Sequence, residues 1–200
     1  MSKQSLENFW ENFLISVCNI IDDLSTQNLE KIADFIFNFI SKGHRLHFTG
    51  VGKSSYVARY MSALYSSIGI PSYFLDCTEA VHGSSGQVVE GDIVIAVSNS
   101  GETEELKYTV KTLRDNKAYV IGISKSEKSW LAKNSDYHLV SKVHSEGDYL
   151  NKPPRASVVG QILVLQSLSI LLQDRRNLSL EEYVKWHPAG KIGESIKTKT

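Results

Sequence analysis

Ile93-Val94-Ile95-Ala96-Val97-Ser98-Asn99-Ser100-Gly101-Glu102-Thr103 places five apolar residues directly ahead of a hydroxyl-rich turn. A run this short, rich in β-branched types and bounded by Ser and Gly, reads as a strand buried on both faces. The polar turn then opens a helical stretch, about 103–114. The same grammar recurs upstream. A short apolar run at 46–48 is followed by Gly50-Val51-Gly52-Lys53-Ser54-Ser55 and then by a helix over 54–68. Further strands are expected at 72–75, 119–123 and 137–140, with another helix at 127–134. Strand–helix alternation of this kind predicts a parallel sheet covered on both faces, a three-layer α/β sandwich.

Two helices precede the sheet. Leu6, Phe9, Trp10, Phe13, Leu14, Val17, Ile20 and Ile21 recur at three- and four-residue steps, and Ile32, Phe35, Ile36 and Ile40 share a second face that stops at Gly43. Together they form a helical arm over about 1–43. A last helix, 156–173, is apolar on almost every turn, so it is expected to lie against the sheet or a second copy of the chain. With no internal repeat and no Gly/Ser linker, residues 1–200 read as one domain, with 197–200 as a frayed tail.

Composition narrows the function. Lys+Arg and Asp+Glu both number 22 in 200 residues, so no basic field exists to attract nucleic acid or an anionic membrane. Cys18 and Cys77 are too few for a disulfide framework or a thiolate metal site. No stretch approaches the ~18–20 uninterrupted apolar residues of a membrane span, and the start does not resemble a signal peptide. A cytoplasmic protein acting on small molecules, or on copies of itself, is the expectation.

In an open parallel sheet the ligand sits beyond the carboxyl ends of the strands. Both Gly/Ser turns lie there. Glycine lets the backbone approach closely, hydroxyls donate to phosphate oxygens, and helix N-terminal amides favour an anion. The first turn is not a nucleotide P-loop, which needs four residues between its glycines where this chain has one. Two such turns on successive units predict a phosphate pocket, whereas either alone could be a tight connection.

These residues also carry a resemblance. The segment 98–103 after an apolar strand resembles the signature of the sugar isomerase (SIS) domain family. Gly50-Val51-Gly52-Lys53-Ser54, Glu79-Ala80-Val81-His82-Gly83 and His187-Pro188-Ala189-Gly190 are similar to the arabinose-5-phosphate isomerases within it. The likeness runs from about residue 46 to 193. It implies a flavodoxin-like fold with a five-stranded parallel sheet, and interconversion of D-arabinose 5-phosphate and D-ribulose 5-phosphate through an enediolate without metal or organic cofactor. It also implies a homodimer or homotetramer with shared active sites. The family's catalytic positions fall on Lys53, Glu105, Glu146 and His187, and its phosphate-binding positions on Ser54, Ser98, Ser100 and Thr103, with Asn99 beside them.

Three departures stand out. Many members continue into paired CBS modules, which are not in this sequence. The family's Pro-Thr-Ser-Ser-Thr-like loop appears as Pro154-Arg155-Ala156-Ser157-Val158, and Trp186 and Lys191 flank the final histidine motif. Roles follow from the chemistry. Glu146 or Glu105 is the base at C1/C2, Lys53 steadies the enediolate, and His187 opens the furanose ring. His82 is expected to support the pocket, with catalysis, a caught metal or a bridge between subunits as alternatives. Another SIS-fold sugar-phosphate isomerase, or a non-catalytic module sensing a sugar phosphate or nucleotide sugar, are the competing readings.

Overall fold

Short runs rich in β-branched or aromatic residues resolve into five parallel strands in the computed structural model, which describes residues 2–189. They are β1 (Leu46–Gly50), β2 (Ser72–Phe74), β3 (Ile93–Val97), β4 (Tyr119–Ser124) and β5 (Tyr137–Val140). Their order is β2-β1-β3-β4-β5. β1 pairs with β3 from Leu46↔Ile93 to Gly50↔Val97. Sequence order therefore reverses direction between β1 and β3, and a crevice opens there at the carboxyl ends of the strands.

Alternation along the strands feeds two cores. Ile93, Ile95 and Val97 of β3 join one cluster with Leu46, Phe48 and Ile121. Its cover is α2 (Thr26–Ile40), α3 (Lys53–Ser67) and α7 (Ala156–Arg176). Val94 and Ala96 turn to the other face, where α4 (Cys77–Ala80), α5 (Glu104–Asp115) and α6 (Trp130–Lys133) supply Ala80, Leu106, Val110 and Leu131. The three-layer α/β sandwich is thus the observed architecture. α1 (Ser2–Asp23) lies across α7, and α8 (Leu180–Lys185) follows it.

Several boundaries differ from the sequence-based expectation. The helix expected at 127–134 is the four-residue α6, because the Ser129 hydroxyl caps at Ala132 and the chain before it forms turns. α4, α8 and a 3-10 turn at Ser84–Gln87 are too short to show periodicity. α7 runs to Arg176 and is, among the described helices, long and apolar enough by length and composition to cross a membrane. Here it is a core helix, with Val164, Leu165, Leu168 and Leu172 buried against α2 and α3. Gly190, Lys191 and the 197–200 tail lie outside the described residues.

Candidate active site

The crevice between β1 and β3 is a cleft of about 300 Å³ lined by Lys53, Ser54, Ser98, Asn99, Ser100 and Thr103. Both Gly/Ser turns therefore meet in one place. Their approach depends on Gly50, where a Cβ would come within 2.9 Å of the Val97 carbonyl oxygen. Three helices, α3, α5 and α7, begin at this cleft, and none has a side-chain cap from its own N-cap residue. Elsewhere Ser25, Asp76, Ser129 and Ser179 do cap their helices. At α3 and α5 the free amides and positive dipole ends remain for an anion.

The second turn is held from several sides. Ser98 Oγ accepts from Gly101 N at 3.0 Å and lies 3.3 Å from Thr103 Oγ1. Ser100 Oγ accepts from Glu102 N at 3.1 Å, and Glu102 accepts from Trp130 N at 2.7 Å. Lys107 sits 3.0 Å from Glu102, so that carboxylate does not repel an anion unopposed. Lys53 is exposed and makes no ion pair among the described residues. A preorganised ring of donors with one free cation suits a phosphomonoester.

Glu146 closes the third helix. Its Oε2 accepts from Arg155 N at 2.7 Å and Ser157 N at 3.0 Å, which caps α7. Its own amide donates to Asn151 Oδ1 at 2.7 Å. The residue is 7% exposed, and Oε1 makes no hydrogen bond among the described residues. It lines a hollow of about 180 Å³ that shares Asn99 with the cleft between the two Gly/Ser turns. α1 covers this loop: Ser16 Oγ donates to Ser145 O at 3.2 Å, and a Cβ on Gly147 (φ +99°) would lie 2.6 Å from the Phe9 ring.

The remaining sequence-predicted residues lie outside this lining. Glu105 is exposed on the first turn of α5, on the sheet face away from α7. Its charge adds to the burial that pushes the Cys77 thiol up. His82 is exposed just after α4. His187 follows α8, its ring 4.1 Å from that of Tyr183 and its Nδ1 donating to Tyr183 O at 2.7 Å. Neighbouring Trp186 packs by Gly69 and Pro71, ahead of β2, so His187 sits at the end of the sheet opposite the cleft. Sequence reasoning missed Gln161, 1% exposed, which lines the cleft and accepts from Ser54 Oγ at 3.2 Å. A Gln in the first turns of an apolar helix was the available signal, though Gln166 and Gln173 share that helix. The Ser157 hydroxyl and Asn99 Oδ1, on residues lining the cleft, are buried and have no hydrogen-bond partner among the described residues, which makes them candidates for binding a polar ligand.

Known proteins are similar to this chain over most of its length. An arabinose 5-phosphate isomerase KdsD of Francisella tularensis is 31% identical over 170 residues, covering 85% of this chain and 52% of its own length. An arabinose 5-phosphate isomerase KpsF of Escherichia coli is 32% identical over 181 residues, covering 90% and 54%. The chain thus spans about half the length of the curated relatives it matches. A solved structure from E. coli CFT073, in complex with arabinose 5-phosphate, superposes with a TM-score of 0.82 at 34% identity, covering 92% of this chain and 95% of its own. Residues 39–171, more than half of the sequence, match the SIS domain, and the chain belongs to that family.

Proposed function

We propose that the protein is an aldose–ketose isomerase that interconverts D-arabinose 5-phosphate and D-ribulose 5-phosphate. The observation that carries the reading is the free Oε1 of Glu146, one shared residue away from the phosphate cleft. Support comes from relatives bearing that name and from a neighbour solved with arabinose 5-phosphate. The phosphate is anchored by Ser54, Ser98, Asn99, Ser100 and Thr103 and by the open ends of α3 and α5.

In the open-chain aldose, Glu146 Oε1 removes the proton from C2 and the electron pair moves onto the C1 carbonyl oxygen. Lys53 balances the charge of the enediolate and its phosphate. The proton returns to C1 while the hydroxyl proton on O2 passes to O1, which leaves the ketose. Of the two candidate glutamates, Glu146 is given the base role because it opens toward the cleft and Glu105 does not line it. His187, with Nδ1 committed to Tyr183, has Nε2 for ring opening in the site of a neighbouring copy. In this reading the chain is one SIS domain working in the cytoplasm as a homo-oligomer, and the chemistry calls on no cofactor.

Incubating the protein with D-arabinose 5-phosphate, D-ribulose 5-phosphate and hexulose 6-phosphates in D₂O tests this. Conversion of the two pentose phosphates, with deuterium entering the product, is expected. Binding without conversion would move the protein to the sensing class, and turnover of a hexulose phosphate alone would replace the substrate.

A further inference from the structure

The groove continues past Glu146. The hollow that receives its free oxygen shares Lys125, Val143 and His144 with a larger one of about 720 Å³ on the side away from the phosphate cleft. Lys125 is brought there by its amide, which donates to Asn99 O at 3.0 Å and so continues β4 alongside the Ser-rich turn. Lys125, Lys128, Lys142 and His144 border the larger hollow, with Asp23 and Glu127. None of the three lysines makes an ion pair among the described residues, although every described arginine does. Three ammonium groups against the two carboxylates of Asp23 and Glu127 leave the lining of this hollow net positive. An array of unpaired cations inside a concave surface focuses field on an anion.

Taken with the proposed function, on which it rests, the geometry points to a second anion-binding site in this hollow. Its ligand is a sugar phosphate that carries another anionic group at the end remote from the 5-phosphate. With its phosphate among Ser98, Ser100 and Thr103, such a ligand runs past Asn99 and Glu146 and delivers its far end to Lys125, Lys128 and Lys142. The far group is a second phosphate, which extends beyond C1 to the ammonium donors, whereas a carboxylate at C1 ends where the substrate's carbonyl does. A pentose monophosphate leaves the hollow unused. The ligand class is therefore an inhibitor or regulator that competes with the substrate by bridging both anion sites.

Three non-reacting ligands test it: arabinitol 5-phosphate, arabinitol 1,5-bisphosphate and arabinonate 5-phosphate. Calorimetric titration at low and high salt is run on the wild type and on a Lys128→Ala/Lys142→Ala chain. The bisphosphate is expected to bind about tenfold more tightly than the monophosphate at low salt. That advantage shrinks as salt screens the exposed ammonium groups, and disappears in the double variant, whose monophosphate affinity stays at the wild-type value. Equal affinity of all three ligands overturns the second site and leaves the phosphate cleft standing. An advantage for arabinonate alone overturns it too, because the carboxylate then only imitates the enediolate. Persistence of the advantage in the double variant places the second anion elsewhere. Failure of the monophosphate to bind removes the second site together with the proposed function.

Discussion

Glu146 divides its carboxylate between two tasks. Oε2 closes the N-terminus of α7 through the amides of Arg155 and Ser157, and Oε1, without a hydrogen bond among the described residues, is the base in the proposed function. Substitution separates the tasks. Glu146→Gln keeps an acceptor for the helix amides but removes the base, so kcat should fall about 10²–10⁴-fold with KM and melting temperature close to wild type. Glu146→Ala removes the cap as well and should also lose about 1 kcal/mol of stability. Steady-state kinetics beside thermal melts would check both. A glutamine variant with near-full turnover would hand the base role to Glu105. The family resemblance made Glu146 one of two candidate bases, whereas its capping role was not legible at all. Its partners lie nine and eleven residues on, across the irregular stretch that ends at Arg155, where no capping pattern marks them.

At the scale of elements, β3 and β5 have the bounds that their short runs predicted: β3 is buried and apolar along its whole length, and β5, a half-buried edge strand, is marked by its aromatic and β-branched ends. The coming together of the two Gly/Ser turns was equally legible, since β1 and β3 had to be neighbours for the cleft to form. α4, α6 and α8 span four to six residues, where capping and tertiary packing decide and periodicity cannot.

One buried tie between elements was also invisible to pattern. His47 of β1 places Nε2 3.0 Å from Asp92, which also takes the Arg45 amide and guanidinium and the Val89 amide. Gln87 of the 3-10 turn reaches His47 Nδ1 at 3.3 Å. That set of bonds suits a neutral ring donating from Nε2 to Asp92 and accepting at Nδ1. Burial lowers the His47 pKa from 6.5, outweighing Asp92, and Arg45 adds in the same direction. Asp92 itself stays below its usual range, because the amides of Arg45 and Val89 and the His47 ring outweigh its burial. The unfolded chain therefore takes up protons near pH 6.5 that the folded chain refuses. This contribution to stability is complete above that pH and falls as pH drops through it toward the lower folded value. Burial lowers His138 too, so its contribution has the same sign. The melting temperature should drop from pH 8 to 5.5, and His47→Gln should flatten that slope in part, leaving the share of His138. A slope untouched by the substitution would show that His47 is not its source.

The whole molecule presents surface that a lone copy leaves wet. Leu6, Trp10 and Leu14 along α1, Tyr56 and Tyr60 on α3, and Ile170 on α7 are all exposed. Gln166 of α7 reaches the Tyr60 hydroxyl at 3.4 Å, so the outer faces of α3 and α7 adjoin. This face begins at Lys53 on the cleft rim, while His187 stands at the other end of the sheet. Apolar surface on that scale is normally covered by a partner, and a second copy related by a two-fold axis is the economical one. In such a dimer one chain's Lys53 can meet the other chain's His187, which neither chain achieves alone. The apolar residues of α1 and α7 already pointed to a second copy, whereas the faces of α3 and α7 that adjoin could not be read from residue types, because periodicity marks a face without saying what covers it. Mixing a Lys53→Ala chain with a His187→Ala chain decides the matter. If sites are shared across a two-fold axis, a mixed dimer holds one site with both defects and one with none. Random exchange of equal amounts makes about half the dimers mixed, so activity should recover to about a quarter of wild type. If each site draws on one chain, the mixture stays as inactive as its parts even when native mass spectrometry shows that the chains have exchanged.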